Sequence, residues 1–353
     1  MRGGERVIER LLNLYPQADV FTHVYDPSRM SEIIRNASVN TTFIEKLPFS
    51  HALYQYYLPL MPLALEQLDL TGYDLVISSE AGPAKGVITS PDALHVCYCH
   101  SPMRYLWDQY HIYRNAANPI ARLAMPLLYP QLRQWDVSSS ARVDRYAANS
   151  NFIRRRIQKV WNRDATVIHP PIETSLFWQS SEIDRFYLWV GQLVPYKRPD
   201  LVVDAFNKNG LPLKIVGTGS MLKSLRKQAR SNIEFIEGLD FDRLRDLYAR
   251  ARAYVITAEE DFGITPVEAM ASGRPVIAYG KSGVLDTVVP ELTGLFYYRQ
   301  DSDDLNSAIE RMEQTHGDFD PREATRRAAD FAPEKFDAAI ARLANIDGVA
   351  RWN

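Results

Sequence analysis

The apolar positions of this chain fall into two series of short runs and helical stripes. Val7, Ile8, Leu11 and Leu12 recur at helical spacing directly after Gly3-Gly4. Strand-like runs follow at 19–25 (DVFTHVY), 73–78 (YDLVIS) and 94–98 (LHVCY). The run 142–149 leads into Ser150, a good N-cap for a basic helix over 152–160, and 165–168 reads as another strand. His169-Pro170-Pro171-Ile172 then interrupts the series, because consecutive prolines continue neither a ladder nor a helix. The alternation restarts with strands predicted at 186–190, 213–216, 233–236, 253–257 and 275–279. Between them, helices are predicted at 199–206, 221–230, 241–251 and 266–272, and a last helical stripe covers 333–343.

Strands alternating with helices predict an α/β chain whose parallel sheets are covered on both faces. The proline interruption divides it into two Rossmann-like domains, 1–169 and 170–332, expected to face an interdomain cleft. The C-terminal helix, about 333–353, is expected to return to the first domain. A length of 353 residues fits two cores, since single cores stop growing near roughly 250–300 residues. In such sheets ligands bind beyond the carboxyl ends of the strands. The opening departs from the pattern: a helix follows Gly3-Gly4 with no strand before it, whereas a βα unit begins with one. The expectation is that the first strand is missing, through a late-assigned start or truncation. A lost central strand would leave ladder groups open.

Composition narrows the function classes. The hydrophobic fraction is 46%, the charged fraction 24% and the net charge −2, so charge does not point to nucleic acid. No window approaches the roughly 18 apolar residues of a membrane span, and the longest apolar passage, 123–129, is interrupted by Pro126. No charged-then-apolar leader opens the sequence. Cys97 and Cys99 are poorly spaced for zinc or redox work. They read as two thiols on opposite faces of a strand, in keeping with a reducing cytoplasm.

The chemistry concentrates in 257–275 (TAEEDFGITPVEAMASGRP). A strand ends near Thr257, Gly263 permits a tight backbone, and Thr265 and Pro266 suit an N-cap and a first helical position. Gly273 and Pro275 end the helix. A helix N-terminus beyond a strand's carboxyl end is an anion site suited to a diphosphate. A plainer reading stands beside this one: Thr265-Pro266-Val267-Glu268 is a capping box by spacing, and Glu259, Glu260 and Asp261 could be a solvated loop. Glu268 could cap its helix and bind a ligand at once, whereas Glu260 has no structural duty visible in the sequence.

Taken whole, the segment resembles the Glu-x7-Glu signature of retaining family 4 glycosyltransferases with the GT-B fold. Glu260 and Glu268 match in place, with Phe262-Gly263 between them. The resemblance implies that Glu260 lies at the donor sugar and Glu268 holds the nucleotide ribose. The backbone of Phe262, Gly263, Ile264 and Thr265 would meet sugar and phosphates. It extends to 191–198 (GQLVPYKR), similar to a strand-end phosphate loop in which Lys197 neutralises the donor diphosphate. Gln192 there replaces the usual arginine and supplies a hydrogen bond without charge. Arg198 could partly compensate or simply face solvent. The Gly217-Thr218-Gly219 loop would edge the donor site, although Leu222 spoils it as a dinucleotide motif. The stretch 281–286 (KSGVLD) departs from the commoner Gly-Gly-x-x-Glu, so contacts near that loop are expected to differ.

In the first half, 98–105 (YCHSPMRY) resembles the family's histidine motif, which places His100 at the donor sugar. Trp107-Asp108-Gln109-Tyr110 is similar to the version in mannosyltransferase-like members that build bacterial surface polysaccharides. Gly3 and Gly4 match the turn near donor phosphates and acceptor, and Arg104 and Asp108 are further acceptor candidates. The implied activity is transfer of a hexose, mannose from GDP-mannose foremost, to a glycan or polyprenyl-diphosphate-linked acceptor, with retention and without cofactor or metal. The expected location is cytoplasmic, with peripheral contact to the inner membrane face through apolar 54–63 and basic Arg154, Arg155, Arg156 and Lys159. Two other readings stay open: a GT-B sugar-nucleotide epimerase, and a non-catalytic glycosyltransferase-like subunit.

Overall fold

The helix Gly3–Leu14 opens residues 3–345, which the computed structural model describes. Its buried Val7, Leu11 and Leu12 form the predicted stripe. Strands β1 (Asp19–Thr22) and β2 (Ser38–Thr41) follow and pair in parallel, with Val20 opposite Val39. Strands β3 (Leu75–Glu80), β4 (Leu94–Cys99), β5 (Arg145–Ala148) and β6 (Thr166–Val167) form a second parallel sheet in that order. Among the described residues, β1 and β3 are each an edge of their own sheet.

Strand β4 is buried along its whole length. Cys97 and Cys99 share one of its faces, not opposite ones as expected, because side chains two apart on a strand point the same way. They pack with Tyr146, Ile153, Ile157 and Trp161 of β5 and the helix Asn151–Trp161, whose Ile153 amide is capped by Ser150 Oγ at 3.1 Å. On the other face, Tyr98 meets Val7, Ile168, Phe336 and Ile340. The helix Pro333–Leu343 thus packs on the N-terminal unit through its residues from Phe336 onward; residues 346–353 lie outside the described residues.

The apolar passage at 123–129 is not broken by Pro126. It lies inside the 21-residue helix Pro119–Ser139, which runs through Pro126 and Pro130. Each proline removes one backbone donor. Both are exposed, where water can take the carbonyls left unpaired.

The unit Ile172–Lys335 is built on one six-stranded parallel sheet. Its strands are β7 (Tyr187–Val190), β8 (Leu213–Val216), β9 (Ile233–Ile236), β10 (Ala253–Ile256), β11 (Val276–Tyr279) and β12 (Gly294–Tyr297), in the order β12-β11-β10-β7-β8-β9. One core cluster covers each face, and β10 is buried on both. Strand β12 and the helix Ser302–Thr315, neither predicted, complete the sheet edge. From β7 the winding runs outward through β8 and β9; from β10 it runs the other way. The sheet therefore reverses between β7 and β10, which is where an open α/β sheet holds a ligand.

Candidate functional site

The loops leaving β7 and β10 carry the predicted residues. After β7, Gly191–Leu193 passes close to the loop after β8. Gly217 (φ +148°) has no room for a side chain, since a Cβ there would stand 1.9 Å from Gly191 O. Gly219 is pressed on Leu193 in the same way. Contact between two backbones accounts for these glycines without a ligand. Gln192 is exposed. The chain then turns through Pro195–Lys197 and Arg198, the latter in the left-handed region (φ +53°). The Arg198 guanidinium is engaged by Asp200, at 3.0–3.2 Å, so it is not simply solvent-facing and serves its own turn.

Thr257, at the end of β10, braces this turn. Its hydroxyl donates to Lys197 O (2.8 Å) and accepts from Trp189 Nε1 (3.1 Å). Lys197 Nζ meets Glu260 Oε1 at 2.9 Å, with both side chains about one-fifth exposed (21% and 23%). Two residues separated by most of a Rossmann half thus become neighbours because β7 and β10 are adjacent. Phe262 is buried in the core against Phe331. Gly263 (φ +92°) is the N-cap of the helix Ile264–Ala271.

Thr265 is therefore not the N-cap. The helix starts one residue before it, and its hydroxyl lies 2.7 Å from the Tyr254 hydroxyl. Glu268 is buried and accepts from Tyr248 OH at 3.1 Å. The loop after β11 closes on this segment: Gly283 N donates to Glu260 O (2.9 Å), Lys281 pairs with Glu259 (2.9 Å), and a Cβ on Gly283 would strike Asp261 O at 2.3 Å. Tyr248 and Tyr254 escaped sequence reasoning because nothing distinguishes them there from other core tyrosines.

In the N-terminal unit, the structure brings Gly4 to His100. A Cβ on Gly4 would lie 3.9 Å from His100 Nε2. That nitrogen meets Ser79 Oγ at 2.8 Å, and the ring stands edge-on to Tyr98. The backbone around His100 is held by His100 N to Glu80 O (2.8 Å) and Asn149 Nδ2 to His100 O (3.0 Å). Burial lowers the imidazole to about 4, so it is neutral at pH 7. Beneath this turn, buried Lys85 pairs with Asp136 and stands over the Trp161 ring. Asp136 also accepts from Trp107 Nε1 (2.7 Å), which fixes the segment holding Arg104 and Asp108. The Asp108 carboxylate is paired with Arg156.

Two family models cover most of the chain: Glycosyltransferase Family 4 matches residues 1–176 and Glycosyl transferases group 1 matches residues 176–330. The chain belongs to the GT-B glycosyltransferases. Among curated relatives of this glycosyltransferase chain, the O-antigen chain mannosyltransferase RfbU of Salmonella typhimurium is 31% identical over 179 residues, 46% of this chain and 49% of RfbU. Alpha-1,3/1,6-mannosyltransferase ALG2 of Saccharomyces cerevisiae is 24% identical over 364 residues, 83% of this chain and 70% of ALG2. The chain spans about half the length, or less, of the first curated relatives it matches. Sucrose-phosphate synthase from Thermosynechococcus elongatus shares the fold, with a TM-score of 0.72 at 20% identity over 96% of this chain and 90% of that one.

Proposed function

We propose that this chain transfers a hexose, with mannose from GDP-mannose as the leading donor, to a glycan or polyprenyl-diphosphate-linked acceptor with retained anomeric configuration. The observation that carries the reading is the Lys197–Glu260 pair at the reversal point of the sheet, beside the helix N-terminus at Gly263. A cation and a helix N-terminus at one strand end suit a diphosphate leaving group, and preorganised charge there is usually the largest catalytic contribution. In this reading Lys197 and that helix take the departing nucleoside diphosphate, Glu260 orients the sugar hydroxyls, and Glu268 binds the ribose. His100, neutral at pH 7, offers the sugar a hydrogen-bonding ring nitrogen. In this reading neither cofactor nor metal takes part. The mannosyltransferases RfbU and ALG2 among the relatives support the choice of sugar. The location proposed for the reaction is cytoplasmic.

The test is a thermal-shift screen of GDP-, UDP- and ADP-sugars, because a ligand selective for the native state raises its stability. Product analysis with and without acceptor follows. GDP-mannose should give the largest shift, and a glycoside of unchanged anomeric configuration should form only with acceptor. Conversion of the nucleotide-sugar without acceptor would assign an epimerase. Donor binding without turnover across an acceptor panel would assign an accessory subunit.

A further inference from the structure

The stretch that follows β10 holds Lys197 at two places. Glu260 pairs with its ammonium at 2.9 Å, and Thr257 donates its hydroxyl to the Lys197 carbonyl at 2.8 Å. The two attachments differ in kind. The ion pair is partly exposed, and an incoming diphosphate would compete for the cation. The second bond goes to backbone, and Thr257 is wholly buried. A diphosphate that draws the ammonium from Glu260 leaves that bond intact.

Thr257 is fixed from two further sides. Its hydroxyl accepts from Trp189 Nε1 of β7 at 3.1 Å, and its carbonyl accepts from Gln300 Nε2, in the loop after β12, at 3.0 Å. A hydroxyl has one proton, so with the indole N–H occupying an acceptor position that proton is committed to Lys197 O. The Trp189 ring also stands beside Gly191. A Cβ there would lie 3.2 Å from the ring and 3.4 Å from Lys197 Cδ, so the lysine stem passes the same spot. The turn has need of such support. Pro195–Lys197 is a single 3-10 turn, Arg198 follows in the left-handed region, and Tyr196 is exposed. So short a turn holds little order by itself. Threonine hydroxyls commonly bond backbone close to themselves in sequence. This one instead joins two strand ends 60 residues apart.

We infer that Thr257, held by Trp189 and Gln300, is the positioning residue that keeps Lys197 in place for the donor diphosphate. It touches no substrate. Because the main chain of Lys197 is already placed when its ammonium leaves Glu260 for phosphate, binding does not have to order the turn. The inference rests on the diphosphate role proposed for Lys197 and carries it to two residues outside the motif positions, Trp189 and Gln300.

The experiment is isothermal titration of the full chain with GDP, UDP and ADP, the tightest serving as probe, beside unfolding in urea. Lys197→Ala should weaken the probe about tenfold or more. Thr257→Val keeps the shape and removes the hydroxyl; it should weaken the probe about three- to tenfold, and Thr257→Ser should restore it to within about twofold. Added to Lys197→Ala, Thr257→Val should cost less than about twofold more, while lowering the urea midpoint equally in both backgrounds. A merely structural threonine would weaken binding to the same extent with and without the lysine. Gln300→Leu should show the same dependence on Lys197 with a loss of about two- to threefold, and it remains readable where Thr257→Val does not fold. Wild-type affinity in every variant at Thr257 and Gln300 that folds, or an equal loss with and without Lys197, would overturn the inference and leave the site reading standing. Wild-type affinity in Lys197→Ala would remove the diphosphate role itself, and this inference with it.

Discussion

Lys197 Nζ stands 2.9 Å from Glu260 Oε1, joining the loop after β7 to the loop after β10. Glu260, which looked free of structural duty in the sequence, holds the lysine assigned to the diphosphate. The pair is partly exposed, so its own worth to stability is small, at most about 1 kcal/mol. Its weight lies in positioning a cation, and a bound diphosphate would compete with Glu260 for that cation.

Glu260→Ala should therefore slow transfer about 10²-fold or more while changing donor affinity little, because it removes sugar orientation together with the carboxylate that competes with phosphate for Lys197. Lys197→Ala should weaken donor binding and transfer together. Steady-state kinetics beside donor titration separate the two. Equal, unchanged rates in both variants would remove this site from the mechanism.

Glu268 is buried and accepts from Tyr248 OH. Glu268→Ala should raise the donor Kd by about one to two orders of magnitude, the scale of a lost hydrogen bond to a charged group. Tyr248→Phe should reproduce a small part of that loss. Isothermal titration with nucleotide and nucleotide-sugar would show it, and full donor affinity in Glu268→Ala would refute the ribose assignment.

Gly217→Ala tests a structural duty instead of a catalytic one. The added Cβ would lie 1.9 Å from Gly191 O, and both partners are backbone. The loops would have to part, at a cost of about 2–4 kcal/mol, visible as a lower unfolding midpoint in urea. Gly210→Ala is the control: φ is +73° there but nothing lies within 4 Å, so only the smaller left-handed penalty of about 1 kcal/mol applies.

His95 predicts a pH effect. It is wholly buried, with Nδ1 donating to Arg142 O (3.2 Å) and Nε2 meeting Ser78 Oγ (3.0 Å). Burial lowers its pKa from 6.5 to about 4. The unfolded chain then binds a proton below about pH 6.5 that the folded chain refuses until about pH 4. Stability from this group falls as pH drops through that window, by up to roughly 3 kcal/mol. Glu80, raised to about 7 by burial, has the opposite slope over an overlapping range. The measurement is therefore a difference: wild type minus His95→Gln, in denaturation midpoints from pH 7 to pH 4.5. The difference should shrink steadily toward acid, and a pH-independent difference would contradict the assignment.

Much of this molecule was readable along the chain. The alternation of apolar runs with helical stripes announced parallel α/β sheets, because strand and helix periods differ and each element's buried face is written into its own residues. Glu260, Glu268, Lys197 and His100 were legible as motif positions. The cysteine faces needed only the strand period applied correctly, and β12 and the helix Ser302–Thr315 lay in the stretch 280–332, for which no element was predicted. What only the tertiary structure decided are the relationships between distant segments. The adjacency of β7 and β10 makes Lys197 and Glu260 partners. The close approach of two backbones explains Gly217, and Tyr254 takes the Thr265 hydroxyl that local spacing had assigned to a cap. The same limit hid an exposed stripe: Ile120, Leu123 and Leu127 carry the residue types of a buried face, and only the packing of their neighbours leaves that stripe facing outward. Local periodicity specifies which side of an element is apolar; which elements meet it is a property of the assembled fold.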